Sequence, residues 1–124
     1  MGMELTMQEA LASRSEAVAV ACMDTRSGLL LGMQVRGDVA SDDVELAAFS
    51  AAELCSAPTL GEPFADTTEP CDESFVASTR WIHAFARVPT RRDLVVVGLA
   101  PCDANVALLC AWIRRVAEQV GPQA

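Results

Sequence analysis

The sequence predicts an α/β domain of the α+β kind: a five-stranded antiparallel sheet with helices on both faces, in the order α-β-β-α-β-β-β-α. Two strand-like runs, 17–23 and 94–99, are apolar on both faces and so need cover on both sides. Within 17–36 and within 73–99 the strand-like runs follow one another through turns too short for a parallel crossover, which makes those neighbours antiparallel. Three further segments repeat their apolar residues at the helical period. The 124 residues fit one domain, 1–124. A chain of this length buries about two-thirds of its unfolded surface, enough for one ordinary core.

Residues 3–13 read as a short first helix, with Met3, Met7, Ala10 and Leu11 on one face. Thr6 and Glu9 have the spacing of a capping box. Ala17–Met23 is a strand, Asp24-Thr25-Arg26-Ser27-Gly28 a turn with Gly28 free to take positive φ, and Leu29–Arg36 the return strand of a hairpin. Asp42–Ser56 is the second helix, with acids in its first turn that suit the helix dipole. Val44, Ala47, Ala48, Ala51, Ala52, Leu54 and Cys55 share one broad arc of it, mostly alanine, against which a neighbour can approach closely. Leu46 and Phe49 lie instead among the polar residues. Residues 57–72 form a loop with Pro58, Pro63 and Pro70. Glu73–Ser78 and Trp81–Val88 are the next two strands, and Leu94–Leu99 is the last. Asp103 is placed to cap a third helix that ends at Gly121-Pro122. Its core stripe is Val106, Leu109, Cys110, Ile113, Val116, Ala117 and Val120, with Leu108 and Trp112 as a second apolar patch on its flank. The second helix is expected over one sheet face, the first and third over the other.

Hydrophobic residues make up 52% of the chain, a modest surplus that favours buried contact with a partner. Chemistry-bearing residues are scarce: there is no Lys, no Tyr and one His, His83. A phosphate-loop lysine, a Schiff-base lysine and a lysine general base are therefore excluded. The net charge of −8 makes nucleic acid and anionic lipid poor partners. The five cysteines are odd in number and form no C-x-x-C pair, which argues for free thiols in a reducing, cytoplasmic setting. Four clustered soft or imidazole ligands for zinc are not visible, and neither a metal nor a cofactor is expected. No run reaches the length of a membrane span, and Glu4 and Glu9 stand where a signal peptide would carry cations.

His83 with a cysteine could suggest a thiol nucleophile, but no orienting residue accompanies it. Cys102 precedes a helix start, a place that can activate a thiol, so a redox sensor or thiol enzyme is the alternative from another class. A subunit of a heteromeric assembly and a small-ligand sensor are further options. Asp66, Glu69, Asp72 and Glu73 around the loop read as solvated acids, and Asp24 and Asp103 as turn and cap residues.

The chain resembles the roadblock/dynein light-chain family. The hairpin Val18–Gly32 with its Asp24-x-x-Ser27-Gly28 turn carries the likeness, with the acidic-start, Ala-rich helix 42–56 and the strand pair 73–88. Leu94–Leu99 followed by Asp103-Ala104-Asn105-Val106 completes it, over roughly residues 4–120. Family sequences often have Gly where Val106 stands, and the loop 57–72 is long for the family. The resemblance implies a non-catalytic protein that homodimerises through its middle strand and second helix. In this chain that points to Val44, Ala47, Ala48, Ala51, Cys55, Phe75 and Ala77 as the interface. It further implies a scaffold or regulator of a Ras-like small GTPase in a bacterial pathway such as polarity or motility. Leu46, Phe49, Leu108 and Trp112 remain as the expected partner contacts.

Overall fold

A computed structural model describes residues 2–56 and 72–123, without the side chains of 54–56 and 123. The elements are α1 (Met3–Ala12), β1 (Ala19–Asp24), β2 (Leu30–Val35), α2 (Ser41–Ser56), β3 (Glu73–Ala77), β4 (Trp81–Val88), β5 (Arg91–Pro101) and α3 (Val106–Val120), the last followed by a 3-10 turn, Gly121–Gln123. The strands form one five-stranded antiparallel sheet in the order β2-β1-β5-β4-β3. The predicted loop 57–72 lies outside the described residues except for Asp72.

Alternation along β5 builds two cores. Leu94, Val96 and Ala100 point to one face, where they join Val20, Cys22, Ile82, Ala84 and Ala86 under α1 and α3. Val95, Val97 and Leu99 point to the other, where they join Ala19, Ala21, Met23 and Phe85 under α2. Every residue of β5 from Leu94 to Ala100 is buried, as a strand covered on both sides requires. Gly98 is the one position on this strand without a side chain, and α3 uses the space. A Cβ there would stand 2.5 Å from Cζ3 of Trp112 and 3.1 Å from Cδ1 of Ile113.

The hairpin turn forms as the sequence implies. Gly28 has φ of 74° and donates its amide to Asp24 O at 2.8 Å. The Asp24 carboxylate accepts from the Arg26 amide at 2.9 Å. After β2, Arg36 turns back across the sheet end. Its Nη1 donates to Ser15 O at 2.9 Å, Ala17 O at 2.6 Å and Arg14 O at 3.2 Å, and its Nη2 to Leu11 O at 2.6 Å. One guanidinium thus gathers four carbonyls at the end of α1 and in its following turn, of which Leu11 O and Arg14 O also accept backbone N–H groups.

Two predicted caps differ. α1 begins at Met3, with Gly2 in the cap position and no side-chain cap bond. Thr6 is therefore already inside the helix, which starts at Met3 as the apolar spacing predicts. At α3, a turn closed by Ala104 N–H to Pro101 O at 2.9 Å delays the helix. Asn105, rather than Asp103, becomes the cap, its side chain accepting from Leu108 N at 3.0 Å.

Candidate functional site

β3 is an edge strand with all five residues exposed. Arg87 N donates to Asp72 O at 2.7 Å, and Ser78 N to Trp81 O at 2.8 Å. The register places Ser74 opposite Phe85 and Val76 opposite His83. Bonded pairs alternate in an antiparallel ladder, so Glu73, Phe75 and Ala77 turn their backbone groups outward. Phe75 and Val76 lie on opposite faces, 47% and 43% exposed. The strand is held from the side by Arg114 on α3, whose Nε and Nη2 grip the Glu73 carboxylate at 2.9 and 2.6 Å. Asp72 in front of it receives Arg92 at 2.6 Å and Arg87 at 3.3 Å. The hydrogen bond from Arg92 holds the Asp72 carboxyl below its ordinary range, and that from Arg114 does the same for Glu73.

α2 lies beside this edge. Val44, Ala47, Ala48 and Ala51 are buried in the core beneath it. They press on the chain's own sheet and do not form an outward seam, which corrects their assignment to a dimer interface. Their burial leaves little of that arc for a partner, although Ala47 and Ala51 also border the groove toward β3. The outward arc carries Leu46, 66% exposed, and Phe49, 47% exposed. The side chain of Cys55 lies outside the described residues.

Between α2 and β3 runs a groove of about 130 Å3 lined by Ala47, Ser50, Ala51, Val76, His83 and Phe85. His83 is half-buried there, and its Nε2 has no hydrogen-bond partner among the described residues. Burial pushes its pKa below the ordinary 6.5, against the opposing pull of Asp43. The folded chain therefore binds this proton less readily than the unfolded chain. Stability from His83 is full above about 6.5 and declines as the pH falls from there to the lowered folded value. The thermal midpoint should drop across that window, and His83→Asn should abolish the drop. An equal drop in the variant would assign it elsewhere.

On the other face, α3 and β3 border a second groove of about 300 Å3 that includes Phe75, Cys110 and Ile113. Leu108 is exposed on α3, as expected. Trp112 is not. It is 5% exposed, with its Nε1 donating to Ala10 O at 3.1 Å and Ser13 Oγ at 3.2 Å. It seals α3 against α1 and is a core residue, not a partner contact. No sequence signal separates it from Leu108, because the difference is made by α1, whose Ala10 stands 102 residues earlier in the chain.

Among the described thiols, Cys22 and Cys110 give little support to redox chemistry. Burial pushes Cys22 up to about 12 and, more weakly, raises Cys110. Cys102 is exposed in the turn before α3. Among the described residues no three or more His, Cys, Asp or Glu side chains group as metal ligands, and no helix is long and apolar enough to cross a membrane.

No protein-family model matches the chain, and no curated protein does. Solved structures do. A Roadblock/LC7 domain from Streptomyces avermitilis superposes with a TM-score of 0.76 at 15% identity, covering 98% of this chain and 97% of that one. The gliding protein MglB from Thermus thermophilus gives 0.76 at 13% identity, covering 97% and 86%. MglC from Myxococcus xanthus gives 0.63 at 12% identity, covering 97% of each. Likeness at such low identity over nearly the whole length is a likeness of fold, and the chain has the roadblock/LC7 fold.

Proposed function

We propose that the chain is a non-catalytic, homodimeric scaffold that binds or regulates a Ras-like small GTPase. The observation that carries this reading is the β3 edge. Its outward backbone groups at Phe75 and Ala77 lie at the middle and end of the strand, with apolar side chains exposed on both faces. An antiparallel copy can pair about Phe75, 75 with itself, which covers the edge and closes the assembly. Phe75, Val76 and Ala77 then form the seam, with α2 of each copy brought alongside. The outer face of α2, with Leu46 and Phe49, is left as the apolar contact for the GTPase. The fold it shares with MglB and MglC, one of them a gliding protein by description, supports a role in a motility or polarity pathway.

Sedimentation equilibrium should show a dimer for the native chain and a monomer for Phe75→Asp, both with unchanged circular dichroism. A native monomer would favour a heteromeric subunit, and a dimeric Phe75→Asp would refute the seam. Leu46→Asp and Phe49→Asp should each weaken capture of a purified, nucleotide-loaded Ras-like GTPase by about tenfold or more, the scale of an apolar contact at an interface centre. Intact binding in both would remove α2 as the contact.

A further inference from the structure

The sheet has a second open edge. Among the described residues β2 pairs only with β1. Arg36 N donates to Val18 O at 2.8 Å, and the register sets Gln34 opposite Val20 and Gly32 opposite Cys22. By the alternation of the ladder, Met33 and Val35 turn their N–H and C=O groups away from β1. The bulge in this pair falls between Cys22 and Met23, at the turn end, and leaves residues 32–35 regular. Leu31 and Val35 are exposed beside these groups, 39% and 37%. No charged residue and no proline occurs from Ser27 to Val35. Edge strands ordinarily carry such a residue, or a cover, to prevent strand addition.

The two faces of this edge differ. Met33 and Val35 belong to the α2 side, since they stand opposite Ala21 and Ala19 of that core, and Leu31 sits exposed in the bulge beside them. On the α1 side, Gln34 Nε2 donates to the Glu4 carboxylate at 2.9 Å. Glu4 is exposed and keeps lone pairs for a further donor. The edge thus offers unpaired backbone, an apolar row on one face and a carboxylate on the other, in a chain of net charge −8. A second copy suits it poorly. Antiparallel self-pairing about Met33 would bring two Glu4 carboxylates toward each other. Combined with pairing at β3, it would also build an open row of sheets instead of a closed assembly.

We infer that the β2 edge binds an extended segment of another protein in which apolar residues alternate with lysine or arginine. The segment adds a sixth strand through Met33 and Val35. Its apolar side chains lie on Met33 and Val35, with Leu31 at the bulged end, and its cations reach Glu4. This surface is separate from the β3 seam and from the outer face of α2, and it stands whether or not those readings do.

The test uses an acetylated, amidated eight-residue peptide of alternating valine and lysine, titrated into the full chain and followed by amide shifts and hydrogen exchange. Saturable binding is expected, with exchange at Met33 and Val35 slowed about tenfold or more. A peptide of the same composition with valines and lysines in two blocks should bind about tenfold more weakly. Met33→Pro, which removes one outward donor, should lower affinity to a similar degree. Leu31→Asn combined with Val35→Asn should do so too, and this pair serves where the proline variant fails to fold. Glu4→Gln should weaken binding and flatten its salt dependence, while Phe75→Asp should leave it unchanged. No binding, equal affinity for the block peptide, protection mapped to β3, or unaltered affinity in both edge variants would overturn the inference.

Discussion

Replacing Trp112 by alanine is expected to lower the unfolding free energy by about 3–5 kcal/mol, the range for removing a buried aromatic side chain. The indole is one of the few large side chains that two helices share. Its edge fills the space above Gly98, and its Nε1 reaches the end of α1. Truncation leaves a cavity at the joint between α1, α3 and β5 and removes a hydrogen bond that ties α1 down. A urea titration followed by circular dichroism measures the change. Trp112→Phe should cost much less than the alanine variant, because the ring volume is largely kept. A loss below about 1 kcal/mol for Trp112→Ala would mean that the indole is not the packed core residue seen here. Gly98→Val should be destabilising from the opposite side, by overpacking, at about 1–3 kcal/mol.

Arg36→Ala is expected to cost about 2–4 kcal/mol, since hydrogen bonds to a charged donor contribute about 1.5–3 kcal/mol each and do not add fully. Four carbonyls lose this donor together, Leu11, Arg14, Ser15 and Ala17, although Leu11 and Arg14 keep a backbone donor. All four belong to the end of α1 and the turn that leads into β1. The loss should therefore appear locally as well as globally. Amide exchange in α1 should accelerate more than in β4 or β5. Arg36→Lys should recover only part of the effect, because an ammonium cannot span carbonyls spread across the fork of a guanidinium. Uniform acceleration across the sheet would show that Arg36 acts on the fold as a whole and not on α1.

Much of the architecture is legible in the sequence. Trp81–Val88 reads as a strand with the bounds it has, and the doubly apolar Leu94–Leu99 sits at the centre of the sheet. The hairpin turn carries its own chemistry in Asp24 and Gly28. These are local signals, set by alternation and turn residues. The errors concern which neighbour a helix face meets. The alanine arc of α2 is expected both to cover the sheet and to meet a partner, and only the first is compatible with its burial. On α3, Leu108 and Trp112 are one turn apart and equally apolar, yet α1 covers one and leaves the other open. Periodicity finds a face but carries no record of a segment folded against it from far along the chain. Both edge strands are visible as strands, but their outward backbone groups follow from register, which composition does not specify.

The gap at Gly98 has a consequence for how the chain finds its pairing. Shifting β5 by one residue against its neighbours would exchange the two cores wholesale, sending Val95, Val97 and Leu99 under α1 and α3. Shifting it by two would keep every side chain on its proper face, so the apolar pattern alone opposes that error only weakly. It would, however, set Val96 or Ala100 beneath the indole, where even a single Cβ lies 2.5 Å from the ring. An absent side chain thus works as an alignment notch: α3 can seat fully only when the central strand is in its native frame.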